Sequence, residues 1–308
     1  MDMERHNVEM RKGSSAVDAG GAMLYSAPSY KVAVEKDIVY RVAEGFWDEG
    51  PDHGIPNAAE LAMTVKAPHR LALEMDVYSP KGDGGASRPL LLMMHGGAYL
   101  IGSKNEKGQT EWCRYFASLG YVAASIDYRL GFPLSRHGLL EAEDNALEDA
   151  GAALQYLLER EDLRVDAGRV CAAGTSAGAA MALGLAYGRA GGTPPPFRIR
   201  AVANLWGYVR DLSILENAFV PILSFQSEAD PIVPYREGFP LGIRLAGRAY
   251  GTKAVFDRAR ELGIPCEHFP CPEKAHRLHL DANGVLTPRF AEIRDRMTTF
   301  FAATFLYD

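Results

Sequence analysis

Short apolar runs alternate with a helical pattern through the middle of this chain, and that alternation constrains its fold more than any other feature. The run Leu90–Met94 is continuously apolar, as expected of a central strand that is buried on both faces. Further candidate strands are residues 121–126, 170–173, 199–205 and 221–226. Residues 141–160 place leucines and alanines along one helical stripe. Because strands that alternate with helices are joined by right-handed crossovers, the pattern predicts an α/β fold with a mostly parallel central sheet and helices on both faces.

The organisation of the chain is predicted to be an N-terminal arm, residues 1–35, followed by a single domain, residues 36–308. The first 30 or so residues are polar, rich in small side chains and aperiodic. Strand-like patterns begin with Asp37–Ala43 and continue with Leu71–Tyr78, in which apolar residues alternate. No internal repeat interrupts the alternation of strands and helices beyond that point.

Charge and composition exclude several classes of protein. The chain has 33 basic and 39 acidic residues and a formal net charge of −6, which argues against nucleic-acid binding. No stretch approaches the roughly 18 apolar residues that a membrane-spanning helix needs. The first residues lack the apolar segment of a signal peptide, which favours a cytoplasmic location, although a secreted protein that has lost its signal peptide would look the same. The 4 cysteines are too few and too scattered for a disulfide scaffold.

The pentapeptide Gly174–Gly178 has the pattern G-x-S-x-G, with Ser176 at its centre. It follows the predicted strand 170–173 and precedes a helix of small residues, 179–187. A sharp turn from strand to helix holds such a serine in a strained backbone conformation and exposes its hydroxyl, and the flanking glycines let strand and helix pass closely. This context predicts that Ser176 is a nucleophile.

A second motif, His95-Gly-Gly-Ala98, directly follows the buried run Leu90–Met94. Backbone N–H groups of a glycine-rich loop at that position can point at a developing oxyanion. The motif therefore predicts an oxyanion hole formed by the N–H groups of Gly97 and Ala98 and by that of Ala177, which follows the nucleophile.

These two motifs, in this order, resemble the α/β-hydrolase family, specifically its carboxylesterase/lipase branch, which includes the hormone-sensitive-lipase-like esterases. The resemblance extends from about Leu71 to the C-terminus, and Tyr128–Leu130 and Glu148–Asp149 are similar to segments common in that branch. Ala98 departs from the pattern, because many relatives carry a third glycine there, but alanine still supplies a backbone N–H. The resemblance implies an α/β-hydrolase fold and a serine esterase that acts on a small-molecule ester without a metal or an organic cofactor.

The family's chain order of nucleophile, acid and histidine indicates the other two members of a catalytic triad. Asp230 lies in a D-x-x-V-P segment after the run 221–226 and resembles the family's acid, with Glu228 as the alternative. His276 follows the last predicted strand, residues 265–270, and is the expected base, with His279 in reserve. In such a triad the acid orients the imidazole, which in turn activates the serine.

The same C-terminal stretch also contains five histidine and cysteine residues, which are of the types that bind metal ions. The residues concerned are Cys266, His268, Cys271, His276 and His279. Their spacings are not those of paired zinc-binding motifs, so no metal site is predicted.

The spacing of the candidate site residues gives expectations about the pocket. The 54 positions from Ser176 to Asp230 are filled by predicted helices and strands, which leaves no room for a large lid. The longer interval to His276 contains a surplus segment, residues 238–251, which we expect to wall the substrate site together with the arm and the Phe46–Trp47 loop. An open site favours small or short-chain esters, and the resemblance adds acetyl or feruloyl carbohydrate esters. The alternatives are a peptidase or acyltransferase of this fold, or a non-catalytic binding protein.

Overall fold

An eight-stranded sheet forms the centre of the computed structural model, which describes residues 25–47, 68–82, 87–190 and 196–306. Its strands are β1 (Lys31–Gly45), β2 (His69–Lys81), β3 (Arg88–Met94), β4 (Val122–Ile126), β5 (Val165–Thr175), β6 (Ile199–Leu205), β8 (Ile222–Ser227) and β11 (Cys266–Cys271). They lie in the order β1-β2-β4-β3-β5-β6-β8-β11. The strand β2 pairs antiparallel with both β1 and β4, and every pair from β4 to β11 is parallel. The mostly parallel sheet predicted from the sequence is therefore confirmed.

Helices cover both faces of this sheet, as predicted. They are α1 (Lys107–Ser118), α2 (Arg136–Glu159), α3 (Ala177–Tyr187), α4 (Thr252–Glu261) and α5 (Pro288–Thr304). Alternate residues of β3 enter different cores: Leu90 and Leu92 pack with α2, α3 and α4, whereas Leu91 and Met93 pack with α1 and α5. This double burial explains why β3 is continuously apolar from Leu90 to Met94. No helix in the described part of the chain is long and apolar enough to cross a membrane.

Two predicted boundaries need correction. The strand β1 begins at Lys31, inside the predicted arm, because residues 31–35 pair with the end of β2. Charged residues at this exposed edge hide the alternation that marks a strand. The helix α2 begins at Arg136 instead of residue 141, since the Ser135 side chain accepts a hydrogen bond from the N–H of Gly138 and caps it. Residues 1–24 of the predicted arm lie outside the described residues.

A second, three-stranded sheet was not predicted. Its strands are β7 (Tyr208–Val209), β9 (Glu237–Gly238) and β10 (Ala249–Gly251), with β10 in the middle. The surplus segment 238–251 therefore folds back on the chain that follows β6. Between Ser176 and Asp230, residues 191–195 aside, the chain is taken up by α3, β6, β7, a 3-10 helix at Leu212–Glu216 and β8, so no large lid intervenes.

A buried ion pair connects the segments 128–130 and 148–149 that carry part of the family resemblance. The Asp149 carboxylate is fully buried, and it accepts hydrogen bonds from the backbone N–H and the Nε of Arg129, at 3.0 and 2.8 Å for Oδ2. Arg41 of β1 donates to the same carboxylate at 2.9 Å. Burial raises the pKa of Asp149 although both guanidinium groups act in the opposite direction. The pair thus fastens β1 and the loop after β4 to α2 at an appreciable cost in desolvation.

We expect Asp149→Ala to lower the free energy of unfolding by about 3–5 kcal/mol, because it leaves the buried Arg129 guanidinium without its main partner. Glu148→Ala is the matched control: Glu148 contacts the same two arginines, but its side chain is 59% exposed, and its loss should cost less than about 1 kcal/mol. Urea unfolding followed by circular dichroism measures both. Equal losses in the two variants would show that the buried pair has no special role.

Candidate active site

Ser176 occupies the turn between β5 and α3, in a backbone conformation that amino acids with side chains rarely adopt. Its φ is 53° and its ψ is −116°. The strand and the helix pass so closely here that a Cβ on Gly174 would lie 2.3 Å from the carbonyl carbon of Gly178. A Cβ on Gly178 would in turn lie 2.1 Å from the carbonyl oxygen of Met94. Both glycines of the G-x-S-x-G pattern are therefore required by backbone contacts, as the motif predicts.

The hydroxyl of Ser176 is hydrogen-bonded to His276, and His276 is hydrogen-bonded to Asp230. Ser176 Oγ donates to His276 Nε2 at 2.8 Å. His276 Nδ1 lies 3.0 and 2.8 Å from Asp230 Oδ1 and Oδ2 and donates to that carboxylate. The structure thus brings together the three side chains that the sequence singles out, in an arrangement that can pass the serine proton to the imidazole.

The Asp230 carboxylate is held in place by its own loop. Its side chain is fully buried, and Oδ1 accepts the backbone N–H groups of Ile232 and Val233 at 2.8 and 3.1 Å. Oδ2 accepts Nε2 of Gln226 at 3.1 Å. Glu228, the alternative acid, is exposed. Sequence reasoning assigned no role to Gln226, although a polar side chain at the end of an apolar strand was an available signal.

His279, the reserve base, lies in a different environment. Its side chain is 1% exposed, and Nε2 lies 2.8 Å from Oε1 of Glu106. The imidazole stacks between the rings of Trp112 and Trp206, with centroid distances of 5.1 and 5.2 Å. Hydrogen bonding to His279 holds the pKa of Glu106 below its usual range, although burial acts the other way. His279 thus joins the His276 loop to the beginning of α1.

The predicted oxyanion loop packs directly against Ser176. A Cβ on Gly96 would lie 3.1 Å from Cβ of Ser176. The loop turns through positive φ values at Gly97 (115°) and Ala98 (54°). Across the same gap, the N–H of Ala177 is the first of α3 and has no partner within that helix. The loop that carries Gly97 and Ala98 and the first residue of α3 therefore both adjoin Ser176. The role of the three N–H groups stays a prediction.

His95, the first residue of the loop, holds the loop in place through contacts of its imidazole and of its carbonyl group. The imidazole is 1% exposed, stacks on the Tyr128 ring at 4.2 Å, and places Nδ1 2.7 Å from the carbonyl oxygen of Gly96. Burial lowers the pKa of His95 to about 4, so the ring is neutral at pH 7. Tyr128 also donates its hydroxyl to the carbonyl of His95 at 2.9 Å.

The histidines and cysteines of the C-terminal stretch have separate surroundings. Besides His276 and His279, His268 lies 3.1 Å from the hydroxyl of Thr252, and Cys266 and Cys271 are buried free thiols. Among the residues that the structure describes, no group of three or more His, Cys, Asp or Glu side chains is placed to hold a metal ion.

A cavity of about 300 Å³ opens beside the oxyanion loop. Its lining includes Tyr99, which follows Ala98, together with Ala180 and Met181 of α3 and Tyr208 of β7. The lining also contains the carboxylates of Glu143, Asp144 and Asp211, of which Glu143 is paired with Arg210 and Asp144 with Arg189 in the same lining. Neither residues 238–251 nor Phe46 and Trp47 belong to this lining; Trp47 instead packs into the core and pairs with Leu130. Their predicted role as walls of a substrate site stays a prediction.

Comparisons with known proteins find one matching family, several esterases and segments of polyketide synthases. Residues 75–193 match the protein family described as BD-FAE. Esterase LipI of Mycobacterium tuberculosis is 29% identical over 210 residues, 61% of each chain. The non-reducing polyketide synthase trt4 of Aspergillus terreus is 31% identical over 147 residues, 46% of this chain and 6% of the synthase. The structure of Thermogutta terrifontis esterase 2 phosphorylated by paraoxon has a TM-score of 0.58 at 18% identity, covering 89% of this chain and 94% of that one.

The extent of these matches differs. This chain spans only 5–7% of the length of these polyketide synthases. At 18% identity, the structural likeness concerns the fold alone.

The close passage of β5 and α3 gives a direct test. We expect Gly178→Ala to lower the free energy of unfolding by about 2 kcal/mol or more, because its Cβ meets the rigid carbonyl of Met94 at 2.1 Å. In the control, Gly184→Ala on the same helix, the nearest atoms belong to the flexible side chain of Leu147. Thermal unfolding of the two variants measures the difference. Comparable midpoints would contradict the assigned role of Gly178.

Proposed function

We propose that this chain, which belongs to the α/β-hydrolase family in its carboxylesterase branch, is a serine esterase that hydrolyses small carboxylic esters. The observation that carries the proposal is the unbroken hydrogen-bond chain from Ser176 Oγ through His276 to Asp230. In this chain the imidazole accepts at one nitrogen and donates at the other, which suits a general base.

The proposed reaction begins with the transfer of the Ser176 proton to Nε2 of His276 while Oγ attacks the ester carbonyl carbon. The buried Asp230 carboxylate stabilises the imidazolium that forms. His276 then gives the proton to the departing alkoxide, so that the alcohol leaves and an acyl-serine remains. Water, deprotonated by His276, attacks the acyl-serine and releases the carboxylic acid and the free serine. No metal or organic cofactor is needed for these steps.

The oxyanion of each tetrahedral intermediate is proposed to bind the N–H groups of Gly97, Ala98 and Ala177. The closeness of the loop to the nucleophile supports this, because a Cβ on Gly96 would lie 3.1 Å from Cβ of Ser176. The positive end of α3 adds to the stabilisation of negative charge.

The substrate is proposed to be small. The Ser176 residue is only 8% exposed. The cavity of about 300 Å³ is at the lower end of the range for ligand pockets; it reaches α3 at Ala180 and Met181, one turn beyond Ser176, and no triad residue lines it. Tyrosine rings and carboxylates at the cavity leave acetyl or feruloyl carbohydrate esters among the substrates to test.

Acyl transfer to an acceptor other than water is the second candidate function. The similarity to a segment of polyketide synthases favours its inclusion, because an acyl-serine can pass its acyl group to any alcohol that reaches it. Adding alcohols to the assay and measuring the ratio of new ester to free acid separates the two functions.

Ser176→Ala should lower the turnover of p-nitrophenyl butyrate by about 10⁴-fold or more and abolish labelling by a fluorophosphonate probe. Ser118→Ala, at the end of α1 and hydrogen-bonded to the backbone, is the control and should keep both. Mass spectrometry of the labelled peptide identifies the modified serine. Substantial turnover by the Ser176→Ala variant would refute the proposal.

A series of p-nitrophenyl esters tests the size of the acyl group. We expect kcat/KM to be at least about tenfold higher for the acetate or butyrate than for the palmitate, since a cavity of about 300 Å³ is too small to take up a long acyl chain. The esters should be compared in the same detergent concentration. A preference for the palmitate would contradict the proposed small substrate.

A further inference from the structure

Gln226, the penultimate residue of β8, is fully buried directly behind the proposed triad acid. Its Nε2 donates to Asp230 Oδ2 at 3.1 Å and to the carbonyl of Val233 at 2.9 Å. Its Oε1 accepts the N–H and the hydroxyl of Thr252 at 3.1 and 2.8 Å. Both ends of the amide are therefore used, and only one orientation of it satisfies these partners.

Thr252 continues the chain of hydrogen bonds away from the triad. It is fully buried and is the first residue of α4, directly after the surplus segment 238–251. Since its hydroxyl donates to Gln226, the remaining contact with His268, at 3.1 Å, must be an acceptance from Nε2–H. Burial lowers the pKa of His268 to about 4, with a further contribution from the Lys253 ammonium, so the imidazole is neutral at pH 7.

All donors in this row point the same way. His268 donates to Thr252, Thr252 to Gln226, and Gln226 to Asp230, whose carboxylate also accepts from His276. A row of buried, aligned hydrogen-bond donors fixes the position of a carboxylate.

We propose that Gln226 and Thr252 are positioning residues, which hold the Asp230 carboxylate in register with His276. The inference rests on the proposed function, because the register matters only if His276 works as a base. Thr252 also couples the triad to the three-stranded sheet, since β10 ends at Gly251, immediately before it.

Loss of the Thr252 hydroxyl should act on the chemical step and not on substrate binding. Without it, Gln226 Oε1 keeps only the backbone N–H of residue 252 as a donor, so the amide is held less firmly toward Asp230. Neither residue lines the cavity beside the oxyanion loop. We therefore expect Thr252→Val, which keeps the shape of the side chain, to lower kcat at least fivefold and to leave KM within twofold.

The test compares Thr252→Val with Thr252→Ser, which restores the hydroxyl and should return kcat to within twofold of the unmodified protein. Thr298→Val is the matched control: Thr298 is 5% exposed on α5, donates to the carbonyl of Arg294, and should keep full kcat. Thermal unfolding of each variant separates lost stability from lost positioning. An unchanged kcat in Thr252→Val, or a loss that Thr252→Ser fails to restore, would overturn the inference.

A second measurement does not depend on turnover. The low-field proton resonance of His276 Nδ1–H, assigned by its loss in His276→Gln, should move in Thr252→Val and not in Thr298→Val. If the unmodified protein hydrolyses no ester and takes up no fluorophosphonate, the proposed function fails, while this resonance still tests the hydrogen-bond row. If ester hydrolysis is present and neither kcat nor the resonance responds to Thr252→Val, only the positioning role fails.

Discussion

The left-handed backbone of Ser176 is the constraint on which the rest of the site depends. It exists because Gly174 and Gly178 allow β5 and α3 to pass in backbone contact. The parallel register pairs Met94 with Gly174, so the loop after β3 starts level with the turn that carries Ser176. The loops after β8 and β11, which carry Asp230 and His276, leave the same edge of the sheet two and three strands away. As in other open α/β sheets, the functional side chains gather at the carboxyl ends of the strands.

Buried polar contacts hold this edge together. The oxyanion loop is fixed at its start by the stacking of His95 on Tyr128. It is fixed at its end by Lys104, whose N–H donates to Asp127 at 2.6 Å and whose ammonium lies 3.1 Å from the buried Asp76. Burial raises the pKa of Asp127 to about 6, so the anchor is obtained at the expense of an unfavourably buried carboxylate. These buried charged groups cost desolvation free energy, but their contacts with one another give the loop a defined shape.

Much of the fold was predictable from the sequence because the central parts of β3, β4, β5, β6 and β8 are buried on both faces and appear in the sequence as apolar runs. The strand β1 was placed too late because it lies at the sheet edge, where charged residues alternate with others. Ser176 was predictable because Gly174 and Gly178, the residues that allow its strained backbone conformation, are its neighbours in the sequence. The sequence alone left His279 as an alternative to His276, because the contact that occupies the His279 side chain is with Glu106, which lies 173 positions away in the sequence. The role of Gln226 was equally hidden, because its partner Thr252 lies on another element, 26 positions further on.

The stacking of His279 between Trp112 and Trp206 has a consequence for the local unfolding of the molecule. It joins the His276 loop to α1, the helix that begins just after the oxyanion loop, through Glu106. We therefore expect these two segments, which lie far apart in the sequence, to open as one local unfolding unit with a common protection against hydrogen exchange. The proposed base and the proposed oxyanion loop would then lose their positions together.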